Sequence, residues 1–205
     1  MNIIDIHHHG VTAPENSVTS FSIGQPVPLG NGLLSVGIHP WHSESADIKQ
    51  VVEELSGVIE RNPRIVAIGE TGIDRLRGAE IDKQLALFQA HIELSERLHK
   101  PLIIHSVRAS DIILQQHKLY HPRQNWAIHG FRGKPAEALQ LTGRGIYLSF
   151  GEQFNRESLE AIPMSLILAE TDESSLPITQ IIQNLSPVID EKQIAGNTIC
   201  YLSER

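Results

Sequence analysis

Short β-branched runs recur along this chain, and between most of the later ones the apolar residues return every three or four positions. The runs are 2–7 (NIIDIH), 18–23 (VTSFSI), 33–39 (LLSVGIH), 65–70 (IVAIGE), 101–105 (PLIIH), 125–129 (NWAIH), 145–150 (GIYLSF) and 166–170 (LILAE). Each has the length and residue preference of a largely buried strand. Helical spacing is plainest in 46–61 (ADIKQVVEELSGVIER) and 79–99 (AEIDKQLALFQAHIELSERLH), which place an apolar stripe on one face. Shorter helices are predicted over 108–118, 135–142 and 155–161, and a last one over 188–203, around Ile194, Ile199 and Leu202. Strand–helix alternation is the signature of a parallel sheet, and about eight strands suit its closure into a barrel.

The first third departs from that scheme. The links 10–17 and 24–32 are rich in Gly, Pro, Asn and Ser. Both are shorter than the dozen or so residues that a helical crossover usually takes. The expected fold is therefore α/β, a distorted or pruned TIM-like (β/α) barrel with helices missing or an early strand displaced. No linker, internal repeat or low-complexity tract interrupts the chain, and its 205 residues are read as one domain, 1–205.

Many of these strands end in a residue that can bind metal. The first runs into "DIHHHG", residues 5–10. An affinity-tag remnant would give such a run. A strand gives it another meaning, because successive side chains alternate faces: His7 and His9 would point one way, as a chelating pair, and His8 the other. The third run ends in His39, the fourth in Glu70, the fifth in His105, the sixth in His129 and the last in Glu170 and Asp172. In a parallel barrel the carboxyl ends of the strands form the active-site rim, where residues distant in sequence converge. Taken singly, each histidine is more simply read as a hydrogen-bonded rim residue, and it is their joint placement at the strand ends that favours a site. His91, His99 and His117 fall on helices and are assigned to structure.

Composition narrows the partners. A net charge of −7 argues against a broad basic surface for nucleic acid. A phosphate substrate would need local positive charge, which bound divalent cations supply. No run approaches the roughly 20 apolar residues of a membrane span, so no membrane partner is expected. No signal peptide is read at the N-terminus. The single cysteine, Cys200, cannot form an internal disulfide, which fits a cytoplasmic protein. No feature calls for an obligate protein partner.

The segments "DIHHH", "VGIHPWH", "IGETGID", "PLIIHS", "IHGFRG" and "AETD", in that order from Asp5 to Asp172, resemble the TatD family of metal-dependent hydrolases, a branch of the amidohydrolase superfamily, and "GNTICYL" is similar to that family's C-terminal helix. The resemblance implies a distorted barrel and a site for two divalent ions. His7 and His9 would bind one ion, His105 and His129 the other, and Glu70 would bridge them. Asp172 would complete the first ion's shell and face the attacking water, so that Asp172 and Glu70 are the catalytic pair. Nitrogen and carboxylate ligands without thiolate suit zinc, manganese, iron, cobalt or nickel, with magnesium less at ease among so many imidazoles. The implied activity is hydrolysis of a phosphodiester, in DNA or a small nucleotide. The same ligand set could also serve ester, lactone or D-aminoacyl-tRNA deacylation, or persist in a metal-binding scaffold without turnover.

The motifs depart from the family pattern in three places. "HSVRAS" puts Arg108 one residue late relative to the usual "HSRDA", "HGF" replaces "HCF", and "ESSLPITQ" after "AETD" lacks the usual basic loop. Three residues remain as candidate substrate contacts. His39 in "GIHPWH" matches a family histidine that touches substrate, though a packed rim histidine explains it as well. Arg132 and Lys134 precede a helix expected to begin near Pro135. They would form a phosphate anchor at its N-terminus, or else a solvated loop.

Overall fold

A computed structural model describes residues 3–45 and 47–203. Eight strands form one sheet: β1 (Asp5–His9), β2 (Ser17–Ser22), β3 (Leu33–Gly37), β4 (Ile65–Asp74), β5 (Leu102–Val107), β6 (Trp126–Ile128), β7 (Tyr147–Phe150) and β8 (Ile167–Ala169). Their spatial order is their sequence order, and every neighbouring pair is parallel. The sheet closes just beyond β8. Asp172 N–H donates to the His7 carbonyl (2.8 Å), and His9 N–H donates to the Asp172 carbonyl (3.2 Å). The result is a TIM-like barrel.

The helices follow the later strands: α1 (Ile48–Arg61), α2 (Ile81–Leu98), α3 (Ser110–Tyr120), α4 (Pro135–Thr142), α5 (Arg156–Ala161), α6 (Ile178–Leu185) and α7 (Glu191–Leu202). No helix lies between β1 and β2 or between β2 and β3, so the barrel is pruned rather than reordered. A 3-10 helix, Pro40–Ser45, precedes α1. Helix α1 starts where the Asp47 side chain accepts a hydrogen bond from Gln50 N–H (3.1 Å), an N-cap of the kind worth about 1 kcal/mol. Ala46, the expected first residue of that helix, and Asn2, at the expected start of β1, lie outside the described residues.

Alternation within the strands sorts side chains into two apolar clusters. Leu102, Ile104, Trp126, Ile128, Ile167 and Ala169 pack with helix residues such as Leu55, Phe88, Ile113 and Ile181. Between them in sequence, Ile103, Ala127 and Leu168 join Ala67 and Tyr201 in a separate cluster. Two residues beyond Ile103, Ala127 and Leu168 stand His105, His129 and Glu170, so strand parity carries each of them towards the same inner face. Among the described residues no helix is long and apolar enough to cross a membrane.

Three elements differ from expectation. β1 sits two to three residues later than predicted, because His8 and His9 pair with Thr19 and Ser20 of β2. β4 continues past Glu70 to Asp74 through a bulge described below. α6 was not expected, although Ile178, Ile181, Ile182 and Leu185 are all buried along one helical face.

Candidate metal centre

The site grows out of the bulge in β4. Ile68 pairs with Leu102 and Thr71 with Ile104, so β4 carries one more residue than β5 across this step. Bulges of this kind re-aim a side chain, and here the side chain is Glu70. Glycines flank it because the strands come too close for anything larger. A Cβ on Gly69 would lie 2.5 Å from the Ile103 carbonyl oxygen, and one on Gly72 2.1 Å from that of His105. Both residues also have positive φ, 153° and 135°, at little cost to glycine.

Glu70, 9% exposed, divides its two oxygens between two sets of imidazoles. Oε1 lies 2.7 Å from His129 Nε2, 2.8 Å from His105 Nδ1 and 3.0 Å from His39 Nε2. Oε2 lies 3.5 Å from His7 Nε2 and 3.4 Å from His9 Nε2. Asp172 Oδ1 completes the second group, 3.8 Å from His7 Nε2 and 3.6 Å from His9 Nε2. His8 points elsewhere, with Nδ1 3.0 Å from Thr171 Oγ1.

Two further carboxylates stand behind the imidazoles. Asp74 Oδ2 is 3.3 Å from His105 Nε2 and accepts the Trp41 indole N–H at 2.6 Å. Glu170, fully buried, lies 3.5 Å from His129 Nδ1 and accepts Gly130 N–H at 2.6 Å. Asp5 is tied to Thr171 by hydrogen bonds to both of its oxygens, from the amide (3.0 Å) and the hydroxyl (2.7 Å). That link anchors β1 to the segment bearing Asp172.

The donor set fits a divalent ion. His7 is fully buried, yet neither of its ring nitrogens makes a hydrogen bond, a deficit that normally costs about 1–3 kcal/mol per group. Nitrogen and oxygen ligands each 2.0–2.2 Å from a tetrahedral ion are about 3.4 Å apart. The contacts of His7 and His9 with Glu70 and Asp172 span 3.4–3.8 Å. On the other side of Glu70 the contacts are 2.7–3.0 Å, which is direct hydrogen-bonding distance. Among the described residues, four overlapping groups can hold a cation: His7–Glu70–His129, His7–His9–Asp172, His39–Glu70–His105 and His129–Glu170–Asp172.

Electrostatics follow this crowding. Burial would raise the Glu70 carboxyl, but the His129 charge and the imidazole hydrogen bonds hold it well below its ordinary value. Burial would lower His129, but Glu70 and Glu170 hold it well above. Burial, reinforced by the His129 charge, lowers His7. His9 rises, because Glu70 and Asp172 outweigh its burial. Burial dominates at His39, which is lowered. Asp74 is lowered: the Trp41, Leu76 and His105 hydrogen bonds overcome its burial.

The cluster floors a cavity of about 350 Å³, whose wall includes Phe21, Gln25, Trp41, His42 and Glu173. A neighbouring groove shares Trp41, His105, His129 and Asp172 and carries Arg108 and Arg132. The fold thus brings together His7, His9, Glu70, His105, His129 and Asp172, and packs His39 into the same cluster against Glu70 and His105. Arg132 borders the groove and hydrogen-bonds Gln153 (2.9 Å). Lys134 caps α4 through its backbone only and lines neither cavity. It is not brought to the site. Sequence reasoning missed Asp74 as a member, although it closes the "GETGID" motif, and left Glu170 without a role.

Fold and site together define a class: parallel barrels whose strand ends carry a histidine–carboxylate cluster able to hold divalent metal. The family model of TatD-related DNases matches residues 14–183, and the chain belongs to that family. It is 27% identical over 154 residues to YjjV of Escherichia coli K12, an uncharacterized metal-dependent hydrolase, covering 70% of this chain and 59% of that protein. With the deoxyribonuclease Tat-D of Schizosaccharomyces pombe it shares 30% identity over 156 residues, 67% of this chain and 50% of the relative. The chain thus matches between half and three-fifths of the length of these relatives. The crystal structure of E. coli YjjV superposes with a TM-score of 0.78 at 20% identity, over 98% of this chain and 96% of that one.

Proposed function

We propose that this protein is a divalent-metal-dependent phosphodiesterase acting on DNA or a small nucleotide, with chain 1–205 as its single hydrolase domain. The observation that carries this reading is the division of Glu70 between two sets of imidazoles, with Asp172 at the cavity floor. His7, His9 and Asp172 would hold one ion and His105 and His129 the other, with Glu70 between them; His39 stands close enough to Glu70 to join the second set. Such ions supply Lewis-acid charge that polarises the scissile group and acidifies water. Zinc or manganese suits this donor set better than magnesium.

Asp172 is the proton acceptor in this reading. Its carboxylate is about one-third exposed, so it can meet a water from the cavity, and its backbone is fixed to β1 at both amide and carbonyl. A base held in this way takes a proton from the nucleophile and returns it to the leaving oxygen. Arg132 and Arg108, in the adjoining groove, offer cations to a substrate phosphate. The name of the S. pombe relative, a deoxyribonuclease, supports a nucleic-acid substrate. The lone exposed Cys200 suits a reducing compartment such as the cytoplasm.

Turnover of a chromogenic bis-phosphodiester and of an acyl ester, at matched metal loading, tests the reading. The phosphodiester should be the better substrate. Hydrolysis of the acyl ester alone would replace this reading with a deacylase.

A further inference from the structure

Three imidazoles meet Glu70 Oε1, His129 and His39 through Nε2 and His105 through Nδ1. In a neutral imidazole only one nitrogen carries the proton, and only the other can donate a lone pair. Something must therefore fix which nitrogen of His105 faces the cluster. Behind its ring lies Asp74, 2% exposed, with Oδ2 3.3 Å from Nε2. An ionised carboxylate only accepts hydrogen bonds, so the proton it can receive from His105 is the one on Nε2.

Asp74 is itself held from every side. Its Oδ1 accepts the backbone amides of Leu76 (2.8 Å) and Arg77 (3.2 Å), and its Oδ2 accepts the Trp41 indole N–H. The buried Gln84 side chain exchanges two hydrogen bonds with the Asp74 backbone, one from the Asp74 amide (2.8 Å) and one to its carbonyl (3.0 Å). Its position therefore does not rest on His105. Trp41 is buttressed in turn by the Arg77 guanidinium, 3.7 Å from its ring centroid. It lines both the cavity and the groove, so one carboxylate joins the pocket wall to an imidazole of the cluster.

We propose that Asp74 is the positioning residue that keeps the His105 proton on Nε2 and so presents the Nδ1 lone pair to the metal cluster, with Trp41 bracing it from the pocket wall. The inference deepens the metal-site reading above and rests on it. Outer carboxylates of this kind orient histidine ligands, and their loss typically weakens metal binding about 10–100-fold. Without Asp74, the one carboxylate left to His105 is Glu70, at Nδ1. The proton would then move to Nδ1 and take the lone pair out of the cluster.

The test reads the tautomer directly, by long-range ¹⁵N–¹H NMR of histidine-labelled, Zn²⁺-loaded protein, because without metal Glu70 Oε1, 2.8 Å from Nδ1, competes for the proton. Metal affinity is read by calorimetric titration with Mn²⁺. The parent should show the Nε2–H form at His105. Asp74→Ala should shift it to Nδ1–H and weaken Mn²⁺ binding about 10–100-fold. Trp41→Phe removes the indole brace but keeps the carboxylate, so it should preserve the tautomer and weaken Mn²⁺ binding less than Asp74→Ala does. A parent protein with the proton on Nδ1 overturns the proposal, and this readout needs no variant to fold. So does an Asp74→Ala protein with an unchanged tautomer, or equal Mn²⁺ loss in Asp74→Ala and Trp41→Phe. A parent that binds neither Mn²⁺ nor Zn²⁺ in the titration would instead overturn the metal-site reading.

Discussion

At the scale of single residues, Asp172 is the sharpest point of the chemistry. Asparagine is nearly isosteric, keeps one oxygen for a ligand role and preserves the backbone bonds to β1, but it cannot accept a proton. Asp172→Asn should therefore fold normally, bind metal modestly less well, and turn over at least about 10²-fold more slowly. Rates and metal content measured side by side in metal-saturated samples check this, and a rate within a few-fold of the parent would remove Asp172 from the proton transfer. His91 gives a second prediction, away from the site. It is fully buried on α2, accepts Ile38 N–H through Nε2 (3.2 Å) and donates from Nδ1 to the Leu87 carbonyl (2.8 Å). Burial lowers its pKa from 6.5 to about 4. The unfolded chain therefore binds this proton more readily than the folded one, and the associated stability, present above pH 6.5, is lost as pH falls towards 4. At about 1.4 kcal/mol per pH unit the full effect is about 3 kcal/mol. Urea melts in chelator across that window should show a flatter acid limb for His91→Gln than for the parent; identical limbs would contradict it. The inward histidines and Glu70 were legible because each ends an apolar run, although Glu70 reaches the cluster through the bulge in β4 rather than by strand parity. Asp74 and Glu170 were not assigned roles, since their partners come from other strands and only packing pairs them.

At the scale of elements, the strand rule makes a paired prediction. His7 and His9 share the face that meets Glu70 and Asp172, whereas His8 faces Thr171. His7→Ala should abolish most metal binding and activity, while His8→Ala should cost some stability and little metal. Equal metal loss in both, measured by elemental analysis after dialysis, would break the alternation argument. Eight strands and six helices were legible from periodicity, with ends off by at most four residues. α6 escaped because "SSLPITQ" reads as a loop with a proline at its centre. That proline in fact stands just before the helix, as its N-cap residue Pro177, and the Ile178, Ile181, Ile182 and Leu185 spacing was the available signal. The bulge in β4 was beyond sequence reading, because glycine spacing marks close approach without saying which strand approaches.

For the whole molecule, charge and metal act together. With a net charge of −7, the protein has little general attraction for a polyanion, so substrate capture should depend on the ions in the cluster and on the arginines of the groove. Chelation should abolish both turnover and retention of a short single-stranded oligonucleotide, and a divalent cation should restore both. Full activity in a verified metal-free sample would end the metal-dependent reading. Acid should act in the same direction, because protonated imidazole cannot bind metal, so occupancy should fall steeply below neutral pH.

The seam of the barrel runs through this chemistry. The amides that close the circle, those of His9 and Asp172, belong to residues whose side chains face the cluster, with the His7 carbonyl between them. A cask whose last two staves are clamped by their own fittings cannot open at the joint while the fittings are in place. An ion gripping His7, His9 and Asp172 would fasten β1 to the end of β8 as surely as the backbone does, and losing it would leave this joint the weakest in the ring. Deuterium uptake at those two amides should thus slow markedly when metal is added, while the amides between β2 and β3, two strands that contain none of the proposed ligands, exchange at their former rate.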